Sequence, residues 1–208
     1  MMLSESASAS LPTNQGDFIL KSFSGTKHLT AQNTLPHLAL IMGLEEKNGC
    51  ADIPLIRIHS ECITGDVFGS RRCDCGQQLT RSMQLISERG CGAVIYLRQE
   101  GRGIGIENKL RAYSLQERGF DTLDANLELG LPADNREYQD AVCILHQLGV
   151  KRCDLLTNNP EKTKAIASST IELNAVLPIH ITPDHPCCVA YINTKQQRMG
   201  HTSSQLTS

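Results

Sequence analysis

The run Arg57 to Gly76, RIHSECITGDVFGSRRCDCG, constrains the fold more than any other stretch of the chain. It sets three cysteines, Cys62, Cys73 and Cys75, beside a His-Ser-Glu triplet and two adjacent arginines, a mixture that neither a packed core nor a solvent-facing helix collects. Three thiolates suit Zn²⁺ at Zn–S distances of about 2.3 Å, and a catalytic zinc keeps three protein ligands with a fourth position for water. With the metal, three thiolates leave a net charge of about −1, so the site calls for positive neighbours. Arg71 and Arg72 stand nearest in sequence. Two other readings stay open on spacing alone. One is a closed structural zinc taking Cys50 or His59 as fourth ligand, and the other is plain cysteines packed as small hydrophobes.

At 208 residues the chain is long enough to bury a core without disulfide staples. Its formal charge of −2 offers no global attraction for nucleic acid or an anionic membrane, so neither partner is expected. An anionic substrate must therefore be met by local basic clusters. Nine scattered cysteines do not pattern as a secreted disulfide framework, and MMLSESASAS lacks the basic and apolar regions of a signal peptide. No run approaches the ~18 apolar residues of a membrane span. A reducing, cytoplasmic location is expected.

Periodicity predicts an α/β chain of one domain, a mixed sheet flanked by helices with the three-cysteine zinc site at its centre. Residues 1–10 and 202–208 are too polar to order themselves and are expected as disordered tails around a domain at 11–201. Strands are expected at Asp17–Phe23, His37–Met42, Pro54–His59, Gly92–Arg98, Cys153–Thr157 and about Ala175–Ile181. Helices are expected at Gln77–Arg89, where Leu79, Met83 and Ile86 form an apolar stripe closed by Gly90, and at Glu107–Gly119. Three more are expected at Asn135–Gly149, from Pro160 to about Ser168, and from about Cys188 to Met199. The glycine-rich turn Gln99–Gly105 leaves a strand and opens a helix, a setting in which backbone N–H groups can meet phosphate or a purine edge. It fits neither the dinucleotide fingerprint nor the Walker pattern. Arg136 falls in the first turn of its predicted helix, unfavourable for the dipole, which suggests another duty.

The blocks LPTNQGDF, RIHSECITGDVFGSRRCDCG, RQEGRGIG, NKLRAYSLQ, DTLDAN, LLTNNPEK and TKQQRMGH, in this order, resemble the GTP cyclohydrolase II family, which opens the riboflavin pathway. The resemblance implies that Cys62, Cys73 and Cys75 are zinc ligands and that GTP, with Mg²⁺, is converted to a diamino(phosphoribosylamino)pyrimidine, formate and pyrophosphate. Zinc would serve hydrolysis at C8 of the purine. For the separate displacement at the α-phosphate it implies Arg136 as nucleophile assisted by Asp134. That role is awkward for a guanidinium with a pKa above ~12, and electrostatic stabilisation by Arg136 with water attacking stays open beside it. By the same resemblance Tyr113 assists C8 hydrolysis. GTP contacts fall to Arg57, Ile58, His59, Ser60, Glu61, Gln78, Glu100, Gly101, Arg102, Thr122, Thr157 and Lys162, with Glu100 placed to accept from guanine. A homodimer is implied as well.

Three rivals remain. A zinc nucleobase deaminase matches His59-Ser60-Glu61, but its partner motif is Pro-Cys-x-x-Cys and the pair here is Cys73-Asp74-Cys75. A zinc-stabilised nucleotide-binding module would bind GTP and leave it intact. A related cyclohydrolase would keep the formyl group on its product. Length also argues against a fusion with the pathway's dihydroxybutanone phosphate synthase.

Overall fold

The protein was analysed as a computed structural model describing residues 3–25, 35–44, 53–121 and 123–202. Seven strands form one mixed sheet: β1 (Leu3–Thr13), β2 (Gly16–Gly25), β3 (His37–Met42), β4 (Leu55–Ser60), β5 (Gly92–Leu97), β6 (Arg152–Leu156) and β7 (Glu172–Leu177), in the order β1-β2-β3-β5-β4-β6-β7. The first three and β5 pair antiparallel, while β5, β4, β6 and β7 run parallel. The helices are α1 (Ile63–Asp66), α2 (Cys75–Arg89), α3 (Gly105–Gln116), α4 (Asp124–Glu128), α5 (Gln139–Gln147), α6 (Pro160–Ala167) and α7 (Pro186–Met199).

Strand alternation sorts the core into two layers. Ile56, Ile58, Ala93, Ile95 and Leu155 face one side, where Ala141, Ile144 and Leu145 of α5 and Ile166 of α6 cover them. Leu55, Val94 and Leu156 face the other, against Met83 and Ile86 of α2. Arg57 and His59 share that second face and are buried beneath α2, 4% and 2% exposed. The chain leaving β4 thus covers one face, and the chains leaving β5 and β6 cover the opposite one. The carboxyl end of β4 is the crevice where open α/β sheets bind ligands.

Three expectations need correcting. Residues 3–10 are not a disordered tail. They form most of β1, which pairs along its length with β2; Lys21 Nζ meets Glu5 at 3.1 Å, Ser6 and Ser22 hydroxyls meet at 2.8 Å, and Leu3 is buried beside Phe23. Ladder hydrogen bonds to a ready edge supply the order that side-chain hydrophobicity did not signal. Residues 134–138 are not helical: α5 begins at Gln139, with Tyr138 at its N-cap, so Arg136 lies in a loop and the dipole argument against it lapses. The last strand is Glu172–Leu177 and not Ala175–Ile181. Residues 1–2 and 203–208 of the expected tails lie outside the described residues. None of the helices is long and apolar enough to cross a membrane, among the described residues.

Candidate active site

The three cysteines converge where β4 hands over to α1 and α2. Cys62 is the N-cap of α1 and Cys75 opens α2, and α1 and α2 meet through glycine backbones: a Cβ on Gly76 would lie 2.3 Å from Gly65 O. The sulfurs lie within 4.8 Å of one another, with Cys62 and Cys73 Sγ 3.6 Å apart. A tetrahedral ion with Zn–S bonds of about 2.3 Å asks for sulfur pairs about 3.8 Å apart, so the donor set fits zinc. A Cβ on Gly65 would sit 3.1 to 3.3 Å from Cys73 Sγ, Cys75 Cβ and Cys62 Sγ, so the absent side chain leaves this cradle open. Hydrogen bonds from the Cys73 and Cys75 thiols, helped by the Lys109 charge against the cost of burial, pull Cys62 far below the ordinary thiol range. Their bonds to Cys62 push Cys75 well up and Cys73 up to about 12. One thiolate flanked by two thiols is the charge state the protein alone supports.

A fourth protein ligand is absent among the described residues. His59 is otherwise engaged, its Nε2 lying 3.1 Å from both carboxylate oxygens of Asp66, which also accepts from Cys62 N and Tyr96 OH. Burial lowers the His59 pKa despite that carboxylate. Cys50 lies outside the described residues. The expected positive neighbours do not serve the sulfurs: Arg71 donates to Asp184, and Arg72 pairs with Glu117 and stacks 4.7 Å over Tyr113. The cation is Lys109 of α3, with Nζ 3.1 Å from Cys62 Sγ and 2.7 Å from Glu100 Oε1. Burial opposes its charge, but Cys62 and Glu100 hold it protonated above the usual lysine range.

Glu100 is placed differently from expectation. Its Oε2 accepts from Ile63 N at 2.6 Å, and its Oε1 accepts from Gly101 N and Lys109, so it fastens α1 to the turn after β5. The glycine-rich turn likewise spends its amides internally: Gly103 N donates to Gln99 O. Its role is close approach. Asn135 N donates to Arg102 O at 3.0 Å, and a Cβ on Gly103 would lie 2.8 Å from Asn135 O, at a φ of +87°. The turn is thereby docked on the loop that carries Asp134 and Arg136. Arg102 sits at φ +62°, the one non-glycine residue in the left-handed region among the described residues, a strain that accompanies functional sites.

A cleft opens beside the cysteines, and Tyr113, Arg102, Lys109 and Tyr191 reach its wall. Tyr113 OH lies 3.4 Å from Thr64 Oγ1, which lies 3.6 Å from Cys62 Sγ, and burial raises its pKa so that the phenol keeps its proton. Around the carboxyl end of β4 gathers a second group. Arg57 donates to Leu156 O and to Gln78 Oε1, Gln78 donates to Asp74, and Lys162 donates to Ile58 O at 2.8 Å. Lys162 is 5% exposed, and burial, then the charges of Arg57, Arg136 and Lys195, drive its pKa well below the usual value. Arg136 binds Asp134 through Nε at 2.8 Å and through its Nη2; burial would lower its pKa, but Asp134 outweighs that and raises it. Asp134 is lowered by the same pairing, against its own burial.

Other expected contacts are present in part. Ser60 Oγ accepts from Gln99, Glu61 pairs with Arg98 at 2.7 Å, and Thr157 Oγ1 accepts from Asn159 N. Ile58 offers no side chain to the cleft, being fully buried in the core, and its carbonyl is taken by Lys162. Thr122 lies outside the described residues. Sequence reasoning missed Asp66, Asp74, Lys109, Tyr191, Lys195 and His201. NKLRAYSLQ and TKQQRMGH held three of them in view, but nothing in a helical period tells which lysine faces a cleft.

Over residues 4–178 the chain matches the family described as GTP cyclohydrolase II. It is 46% identical to GTP cyclohydrolase-2 of Acinetobacter baumannii (strain SDF), covering 94% of each chain. It is 45% identical to GTP cyclohydrolase-2 of Shewanella sp. (strain W3-18-1), covering 96% of this chain and 94% of that one. It is also 46% identical to riboflavin biosynthesis protein RibBA of Cytophaga hutchinsonii, over 92% of this chain and 45% of the relative, so it spans about half the length of that longer protein.

Proposed function

This chain belongs to the GTP cyclohydrolase II family, and from that premise we propose that it hydrolyses GTP to 2,5-diamino-6-hydroxy-4-(5-phosphoribosylamino)pyrimidine, formate and pyrophosphate. The observation that carries the proposal is the convergence of three sulfurs within 4.8 Å of one another on the wall of a cleft that Arg102, Lys109 and Tyr113 also line. Cys62, Cys73 and Cys75 would hold one zinc, which when bound supplies Lewis acidity and an activated water for carbon 8. Lys109 balances the thiolate charge, and Tyr113 keeps a proton to donate to the leaving nitrogen. That donor favours full release of formate over retention of the formyl group.

The polyphosphate, with Mg²⁺, is met by Arg57, Arg102, Arg136 and Lys162. Lys162 is a buried amine whose charge burial and its cationic neighbours disfavour, and an entering anion would hold its proton. Arg136 acts as a fixed positive charge. Its double contact with Asp134 holds the guanidinium protonated, which favours water as attacker at the α-phosphate over an arginine nucleophile. Asp134 holds Arg136 and is free to accept a proton through its remaining lone pairs. Glu100 Oε2, which accepts from Ile63 N, keeps a second lone pair for a guanine N–H, and guanine selection is assigned to it. A cytoplasmic homodimer, its catalytic unit taking in β1 along with the expected 11–201, completes the proposal.

Incubating the purified protein with GTP and Mg²⁺ and identifying the products tests this. Formate, pyrophosphate and the pyrimidine in equal amounts are expected. Ammonia would make the protein a deaminase, a formylated product the related cyclohydrolase, and intact GTP a binding module.

A further inference from the structure

The turn that follows α7 brings His201 to the same small pocket as Lys195. Gly200 takes the left-handed conformation, His201 N returns to Lys195 O at 3.2 Å, and Thr202 N donates to Asn158 O at 3.0 Å. The turn packs on the start of α6, where a Cβ on Gly200 would lie 3.7 Å from Pro160 Cγ, and Lys162 projects from that same first turn. His201 shares the wall of a small pocket with Lys195, Asp74 and Gln78, and it is near enough to Lys195, Arg136, Lys162 and Arg102 for their charges to act on it. Its Nε2 is buried and has no hydrogen-bond partner, and the same is true of both terminal nitrogens of Arg102. A buried nitrogen without a partner is destabilising, a loss recovered when a ligand supplies the acceptor.

We propose that His201 is a further substrate-binding residue, its Nε2 donating to a phosphate oxygen of the nucleotide within the cluster of Arg102, Arg136, Lys162 and Lys195. This rests on the nucleotide triphosphate reading above. Burial, then the surrounding cations, lower the His201 pKa to about 3, so the ring is neutral and carries one N–H. A phosphate oxygen at Nε2 selects the tautomer with the proton there. Lys195 positions the segment. It reaches Asp74 at 3.4 Å, Asp74 accepts from Gln78, and Gln78 accepts from Arg57, so one chain of polar contacts runs from α7 to the floor of the cleft.

The test is calorimetric titration of the zinc-loaded full chain with inorganic tripolyphosphate and, separately, with guanosine, using the parent, His201→Ala and His201→Gln. His201→Ala should weaken tripolyphosphate binding roughly ten- to hundredfold, as for loss of a hydrogen bond to a charged group, and leave guanosine unchanged. His201→Gln, which keeps an N–H near the Nε2 position, should recover most of it. The KM for GTP should move in parallel, with kcat less affected. Parental tripolyphosphate affinity in His201→Ala, equal loss of both ligands, or no recovery in His201→Gln would overturn the assignment. A parent that leaves GTP intact would overturn the functional reading instead, and the tripolyphosphate titrations would still judge His201 independently.

Discussion

The two ends of the cleft are built from opposite charge. At the cysteine end three sulfurs gather around one point, and one ammonium, Lys109, touches them. At the loop end basic side chains are in excess: Arg102, Arg136, Lys162 and Lys195 all act on His201, with Asp134 and Asp74 as the near carboxylates. An electron-rich sulfur set recruits a metal cation; a surplus of cations recruits polyphosphate. The contrast teaches that one chain can set a metal-seeking sulfur group and an anion-seeking basic group near each other, each held with a partner of opposite charge.

The contrast breaks most visibly at the sulfurs. Cys75→Ser should lose zinc and abolish formate release, while pyrophosphate still appears for a first turnover; metal analysis and a single-turnover assay following both products check this. Cys143→Ser, on α5 and remote from the cluster, should change neither. Zinc-loaded, active Cys75→Ser would erase the distinction between the two ends. At the loop end, Arg136→Ala should slow pyrophosphate release ~10²–10³-fold without ending it, as for loss of a fixed positive stabiliser. Complete loss, with a guanylyl adduct trapped on zinc-free parent, would restore the arginine as nucleophile.

Lys109→Met should sharpen the comparison further, lowering formate release about 10–100-fold through weaker metal or its poorer activation, with pyrophosphate release nearly untouched. Equal loss of both products would place Lys109 at the phosphate end. The smallest effect is on stability. Folded His59 and His201 both have lowered pKa values, so below about pH 6.5 the unfolded chain takes up protons that the folded one refuses. Stability is therefore full above that pH and falls as pH drops toward the His201 value of about 3. For His201 the loss at pH 5 is at most about 2 kcal/mol. Urea midpoints at pH 7.5 and 5 should show it, and His201→Gln should lose less; an equal slope would remove His201 from the account.

The cysteine spacing and the apolar stripe Leu79, Met83, Ile86 were legible because periodicity and ligand chemistry are written locally. Strands β2 to β6 followed from the same signals, while their order in the sheet did not. Three further things were not legible. The Ser/Ala run of β1 carries no hydrophobic mark, since its order comes from backbone pairing with β2. The loop Asp134–Tyr138 reads as helix because Tyr138, Val142 and Leu145 continue one face, while Asn135 is taken by the backbone of the glycine-rich turn. The choice of Lys109 over Arg71 and Arg72 depends on how α3 folds back over α1, which sequence neighbours do not encode.

The backbone contact between Gly103 and Asn135 works as a ruler. Because main chain meets main chain there, the interval between the glycine-rich turn and the loop of Asp134 and Arg136 is graduated by covalent geometry, and the Glu100 side chain carries it on to the sulfur centre. Side chains at either end can be exchanged without moving the opposite end, whereas any side chain added at position 103 lengthens the ruler itself. A replacement at this glycine should leave both half-sites intact and put them out of step.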